Sequence, residues 1–173
     1  IYTVRPLPQG RIIDDCRHDL DMGAVLGALI GDAAGATLEF LGRQPTAVEV
    51  EQALGMCGGG IWNTAPGQVT DDGELTLALL QALAGQPRYD VNRAARTYRL
   101  WYLSDPFDIG NATTNALEEG DPDSPDLAEL IARRASMFNS ESKANGSLMR
   151  ATPLGVWSAR VSIEEAVDAA RAD

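Results

Sequence analysis

Cysteine is scarce in this chain. The 173 residues hold two, Cys16 and Cys57, without C-x-x-C spacing, so neither a disulfide framework nor a thiolate zinc site is indicated. That usage points to a reducing, cytoplasmic setting. Cationic residues are outnumbered too, with 14 Lys and Arg against 25 Asp and Glu and a formal net charge of −11. Binding to nucleic acid or to an anionic membrane by bulk attraction needs clustered Lys and Arg, so both classes are excluded. The longest mostly apolar run, Met22 to Phe40, is interrupted by Asp32 and Glu39, which disqualifies it as a membrane span. No run alternates with period two, so no strand is expected. The opening Ile1–Gly10 has neither a basic region leading into an apolar core nor a small-residue cleavage site. Its prolines predict an extended arm over residues 1–18, followed by one domain over 19–173; the length suffices for one core and not for two.

What is present is helical periodicity. Met22, Val25, Leu26, Leu29 and Ile30 recur at the spacing of one buried helical face, with Asp19 or Asp21 as N-cap. Gly23, Gly27, Gly31 and Gly35 repeat every four residues along the same helix, a strip that reads first as tight packing against a neighbour. Residues 42–67 are too rich in Gly and Pro for a regular element. A second helix starts at Asp71 with Leu75, Leu79, Ala82 and Leu83 on one face, and Gly85 and Pro87 stop it. A third starts at Asp90 and buries Ala94, Ala95, Tyr98, Trp101 and Tyr102. Short helices follow over Ala112–Glu119 and after Ser124-Pro125-Asp126. The segment Asn145–Trp157 is mixed, and Ser162 with Glu165 forms a capping box for a last helix. The fold class is therefore all-α.

Four short segments carry chemistry. Thr70-Asp71-Asp72 presents a hydroxyl and two adjacent carboxylates where a loop meets a helix, hard oxygen donors that suit Mg²⁺. The same residues have a purely structural reading, because Asp71 with Glu74 makes a capping box. Glu39, just past the first helix, is a general acid or base, or a solvated helix-end charge. Asn145-Gly146-Ser147-Leu148-Met149-Arg150 gathers backbone N–H groups, an amide, a hydroxyl and a guanidinium, parts that hold sugars and phosphates. Gly110-Asn111 is either a phosphate-contacting turn or a helix cap.

Taken in order, Gly27-x-x-x-Gly-Asp-Ala-Ala-Gly35 with Glu39-Phe40, Pro66-Gly-Gln-Val-Thr-Asp-Asp72, Gly110-Asn111, and Asn145-Gly-Ser-x-Met-Arg150 with Pro153-Leu-Gly155 resemble the motifs of the ADP-ribosylglycohydrolase family, of the dinitrogenase-reductase-activating type. The resemblance runs from about Asp21 to the last residue. It implies a compact orthogonal helical bundle, here incomplete at its C-terminal side, and hydrolysis of the glycosidic bond between ADP-ribose and a modified target. It makes Glu39 the catalytic carboxylate. Thr70, Asp71 and Asp72 become ligands of two magnesium ions, or manganese. Asn145, Gly146, Ser147, Met149 and Arg150 join the ADP-ribose cleft, with Gly110 and Asn111 near the pyrophosphate.

Two departures stand out. Gly73 occupies a position where family members often carry a second Thr. The family's other metal cluster, an Asp-x-Asp-Thr in a C-terminal helical region, is absent, and Asp121-Pro-Asp-Ser124 reads as an N-cap rather than its replacement. From these follows the expectation that the rest of the domain arrives as a longer chain or second fragment, packing on Leu75, Leu79 and Ala82. ADP-ribose or an ADP-ribosylated protein is the expected partner. The alternatives are an immunity or binding protein that occludes an ADP-ribosylating toxin, and a degenerate relative that binds ADP-ribose without catalysis.

Overall fold

The computed structural model describes residues 12–173, and within them the helices are α1 (Ile12–Gly35), α2 (Ala47–Leu54), α3 (Asp71–Leu83), α4 (Val91–Leu103), α5 (Asn111–Leu117), α6 (Leu127–Phe138), α7 (Gly146–Met149), α8 (Thr152–Ser158) and α9 (Ile163–Ala172). Among the described residues there is no strand; one isolated antiparallel bridge joins Gly59 and Thr64. The all-α expectation holds. The extended arm lies mostly outside the described residues, and its last part, 12–18, is helical instead.

Helix α3 is central and packs against α1, α4, α7 and α8. Leu75 and Leu79 are wholly buried and Ala82 nearly so, in a core with Ala94 and Tyr98 of α4, Leu154 and Trp157 of α8 and Ala169 of α9. The expectation that this face awaits a second fragment is thus corrected: the chain covers it by itself. The bare apolar surface is elsewhere. On α1 Val25 and Ala33 are buried, as is Ala36 just past its end, while Met22, Leu26 and Ile30 stand about half exposed. Periodicity locates an apolar stripe on a helix, but it does not say which part of the stripe this chain covers.

Local side-chain caps set the starts of α2, α4 and α9. Asp90 caps α4 by accepting from the N–H of Asn92 and Arg93, and Ser162 with Glu165 closes the capping box of α9. Thr46 with Glu49 makes the same box at α2, a helix not expected from the sequence because Gly and Pro dominate its surroundings. Asp19 and Asp21 do not cap α1, which starts earlier and runs through both; Asp21 pairs with Arg160 instead. The anticipated Asp71–Glu74 box is also absent. Thr70 is the N-cap of α3, and the Glu74 carboxylate accepts from the indole Nε1 of Trp101 at 2.6 Å. Among the described residues no helix is long and apolar enough to cross a membrane.

Candidate active site

The N-terminus of α3 meets the C-terminal end of α1 through Asp32. Its Oδ2 accepts the backbone N–H of Thr70 and of Gly73, each at 2.8 Å, and its Oδ1 accepts the Thr70 hydroxyl at 2.7 Å. A helix leaves its first N–H groups without intrahelical partners and carries partial positive charge there, so a carboxylate from another helix satisfies both needs. The contact fixes where Asp71 and Asp72 sit. It also settles the Thr70 hydroxyl, whose proton points at Asp32 and whose lone pairs remain available.

Asp71 is buried, and the nearby backbone N–H of Gly110 favours its charged form. Burial pushes its pKa up to about 7, aided by the charges of Asp108, Asp72 and Glu39. Asp108, in the loop between α4 and α5, is pushed up to about 6 by burial and by Glu39, Asp72, Asp32 and Glu74. Asp72 is raised as well, by burial and by Asp32 and Glu39. Three carboxylates that resist ionisation beside three further acids, Asp32, Glu39 and Glu74, form a crowded acidic locus. Such a locus is relieved either by protons or by a cation.

A cleft of about 360 Å³ opens beside this locus, lined by Asp32, Glu39, Thr70, Asp72 and Met149 and walled by Ala28, Gly31 and Gly35 of α1. Its size suits a small-molecule site. The glycine strip therefore has a different use from the packing expected of it. A Cβ built on Gly23, Gly27, Gly31 or Gly35 meets nothing within 4 Å, so among the described residues no neighbour presses on the strip, and its C-terminal part leaves room in the cleft.

Glu39 follows α1 in a turn and is exposed. Its Oε2 accepts from the indole Nε1 of Trp62 at 3.1 Å. Trp62 stands edge-on to Phe40, with centroids 6.4 Å apart, and to Phe107, at 6.3 Å.

The structure brings together Glu39, Thr70, Asp71, Asp72, Gly110 and Met149, and divides the remaining candidates. Asn145 and Ser147 are exposed at the start of α7, Gly146 packs close to the Thr113 hydroxyl, and Asn111 opens α5 at the surface. Arg150 is turned the other way. Its Nε donates to Asp173 Oδ2 at 3.1 Å, its Nη1 to the carbonyl of Gly146 at 2.9 Å and its Nη2 to the carbonyl of Asp173 at 2.7 Å, while the guanidinium lies 4.4 Å from the Tyr98 ring centre. In this arrangement it fastens the α7 turn to the end of α9.

Sequence reasoning missed Asp108 as a member of the cluster, and missed Trp62 and Phe107 beside Glu39. Asp108 lies two residues before Gly110-Asn111, so the same turn carried the signal. Asp32 stood inside the glycine motif, and only its pairing with α3 reveals its purpose.

Hard divalent cations fit this donor set. It is entirely oxygen, its carboxylates are destabilised by one another, and the Thr70 oxygen is free to coordinate. Among the described residues, however, no three His, Cys, Asp or Glu side chains converge as a ready-made metal site. The balance of a Mg²⁺ shell would come from water or from groups outside these residues.

A family model described as ADP-ribosylglycohydrolase matches residues 16–173. The chain is 38% identical over 131 residues to a protein of Acanthamoeba polyphaga mimivirus named as an ADP-ribosyl glycohydrolase, L543, covering 73% of this chain and 38% of that one. It is 34% identical over 140 residues to the ADP-ribosyl-[dinitrogen reductase] glycohydrolase of Rhodospirillum rubrum, covering 79% and 44%. Over 146 residues it is 36% identical to the ADP-ribosylarginine hydrolase Tri1 of Pseudomonas putida (strain GB-1), covering 80% and 36%. The chain thus spans less than half the length of these curated relatives.

Proposed function

Since this chain belongs to the ADP-ribosylglycohydrolase family, we propose that the cleft between α1 and α3 is where an ADP-ribosyl group is cleaved from its acceptor by hydrolysis at the anomeric carbon. The observation that carries this reading is the convergence of Glu39 with Asp71, Asp72 and Asp108 beside a cleft walled by the small residues Ala28, Gly31 and Gly35. Cleavage of a glycosidic bond passes through an oxocarbenium-like state, which needs a proton donor or acceptor at the leaving atom and negative surroundings for the developing positive charge. Glu39, exposed at the mouth, supplies the proton transfer. Asp71, Asp72 and Asp108 supply the field.

Two Mg²⁺ ions, or Mn²⁺, held by Thr70, Asp71 and Asp72, would orient a water and the ribose hydroxyls and offset the charge of the pyrophosphate. The Gly110 N–H lies near Asp71 and would serve the pyrophosphate, and Gly146 and Ser147 would take the rest of the nucleotide. For the acceptor we favour a guanidinium, the group that the name of the Pseudomonas relative specifies. Carboxylates flanked by aromatic rings suit a cation. Further metal ligands are proposed to come from another segment, for which Met22, Leu26 and Ile30 of α1 offer an exposed apolar seat.

The test is Glu39→Gln in the complete enzyme. The amide keeps shape and hydrogen-bonding capacity but cannot take or give the proton, so turnover is expected to be lost while ADP-ribose still binds. Retention of most of the turnover would remove Glu39 from the mechanism.

A further inference from the structure

The loop that carries Trp62 is tied down at several points. The N–H of Gly67 donates to the carbonyl of Met56 at 2.9 Å and closes the ends of the loop. Inside it Gly59 and Thr64 exchange backbone hydrogen bonds at 2.8 and 3.0 Å, and Asn63 N–H donates to the carbonyl of Gly60 at 3.2 Å. Residues Ile61 and Trp62 therefore sit at the tip of a tight turn. Gly60 braces that turn against the end of α1. Its φ is +70°, and a Cβ there would come 2.8 Å from both the carbonyl oxygen of Ala36 and the Cα of Thr37. Only a glycine lets the turn approach the very segment that leads into Glu39.

The indole is held from both sides. Phe40 and Phe107 meet it edge-on at interplanar angles of 79° and 71°, a favoured geometry for aromatic pairs. Phe40 has a left-handed backbone, φ 55°, which an L residue adopts only at some cost. Together these contacts aim one N–H at one carboxylate oxygen. Among the described residues, Trp62 is also the side chain that holds the Glu39 carboxylate by a hydrogen bond.

We propose that Trp62 is a positioning residue for Glu39: its indole N–H occupies Oε2 and orients the carboxylate so that Oε1 is the oxygen that exchanges the proton with the reacting group. This rests on Glu39 being the catalytic carboxylate. An exposed Glu samples several rotamers, and a carboxylate free to rotate spends little time in the reactive geometry. A neutral donor on the far oxygen narrows that choice without adding charge. Trp62 thus affects turnover through Glu39 and contributes little to binding.

Two substitutions in the complete enzyme test this, with hydrolysis of an ADP-ribosyl guanidine as the assay. Trp62→Phe keeps an aromatic ring between Phe40 and Phe107 but has no N–H. Replacement of Trp62 by benzothienylalanine, the sulfur isostere of tryptophan, keeps the full shape and removes only the donor. Both are expected to lower kcat by about tenfold, the worth of one hydrogen bond to a charged group, with KM changed by less than about twofold. The thermal midpoint of the isostere should stay at the wild-type value. If Trp62→Phe fails to fold, the isostere decides. An isostere with wild-type kcat, or with its loss entirely in KM, overturns the proposal. Glu39→Gln, measured alongside, separates the two readings: if it is inactive while the isostere is fully active, positioning by Trp62 falls alone, whereas an active Glu39→Gln brings down both.

Discussion

The Asp32 carboxylate lies 2.8 Å from the backbone nitrogen of Gly73, and there is no room for a side chain between them. A Cβ on Gly73 would stand 2.6 Å from Asp32 Oδ2 and 2.6 Å from Val69 Cβ. The missing side chain at position 73 is therefore what admits the carboxylate to the end of α3. In an open helix, Gly→Ala gains about 1 kcal/mol from backbone entropy. Here Gly73→Ala is expected to lower the thermal midpoint despite that gain, and Gly73→Thr to lower it further, because Val69 Cβ cannot swing away as a side-chain tip can. Differential scanning calorimetry reads the sign; a raised midpoint would show that α1 and α3 separate at little cost.

Removing the other partner has a graded effect. Asp32→Ala strips two backbone N–H groups and the Thr70 hydroxyl of their acceptor and is expected to cost about 1–3 kcal/mol. Asp32→Asn keeps an acceptor oxygen and should fall between wild type and Ala. Urea unfolding midpoints order the three proteins. Equal midpoints for Asn and Ala would mean that the charge, and not the hydrogen bonds, secures the helix end.

These two positions also show how far the sequence could be read. Asp90 and Ser162 announce their helices because a cap acts over three or four residues, a range that linear spacing captures. Asp32 caps a helix 38 residues away, and no local pattern contains that information. The glycines of α1 were visible as a strip, yet packing and empty space leave the same trace in a sequence. Only the position of α3 and Met149 shows that Gly31 and Gly35 face a cleft. Thr70-Asp71-Asp72 was legible because its donors are adjacent. Asp108 joins them from another loop, and its effect on Asp71 is a matter of distance in space.

Arg150 illustrates the same limit and gives a third prediction. Its guanidinium is paired with Asp173, whose carboxylate also accepts from the hydroxyls of Tyr89 at 3.0 Å and Tyr98 at 2.6 Å. Truncating one partner of a buried, hydrogen-bonded pair leaves the other charge uncompensated, a loss of about 3–5 kcal/mol. Arg150→Met is therefore expected to shift the urea midpoint strongly. Affinity of the folded fraction for ADP-ribose should change by less than about threefold, within the range of indirect effects. A large loss of affinity with an unchanged midpoint would instead place Arg150 on the nucleotide.

The last prediction concerns pH and divalent cations. Asp71 and Asp108 have folded pKa values of about 7 and about 6, above the 3.8 of a free Asp. For a carboxylate raised in this way the folded state holds the proton more tightly than the unfolded state does. The penalty is absent below the unfolded pKa, grows as pH rises through the interval, and is complete above the folded value. Stability of the metal-free protein should therefore fall between about pH 4 and about pH 7 and level off above. Glu49 acts in the opposite sense, because Arg43 and the Thr46 N–H hold it down at about 2, so its contribution is lost only in stronger acid and leaves this window clear. Mg²⁺ selects the ionised form of the carboxylates that would hold it. If Asp71 and Asp72 are ligands, added Mg²⁺ should raise the thermal midpoint more at about pH 8 than at about pH 5, and Asp71→Asn should remove most of that difference. Thermal melts at several pH values, with chelator and with Mg²⁺, provide the measurement. A pH-dependent destabilisation that Mg²⁺ leaves untouched would keep the acidic cluster and refute its use as a metal site.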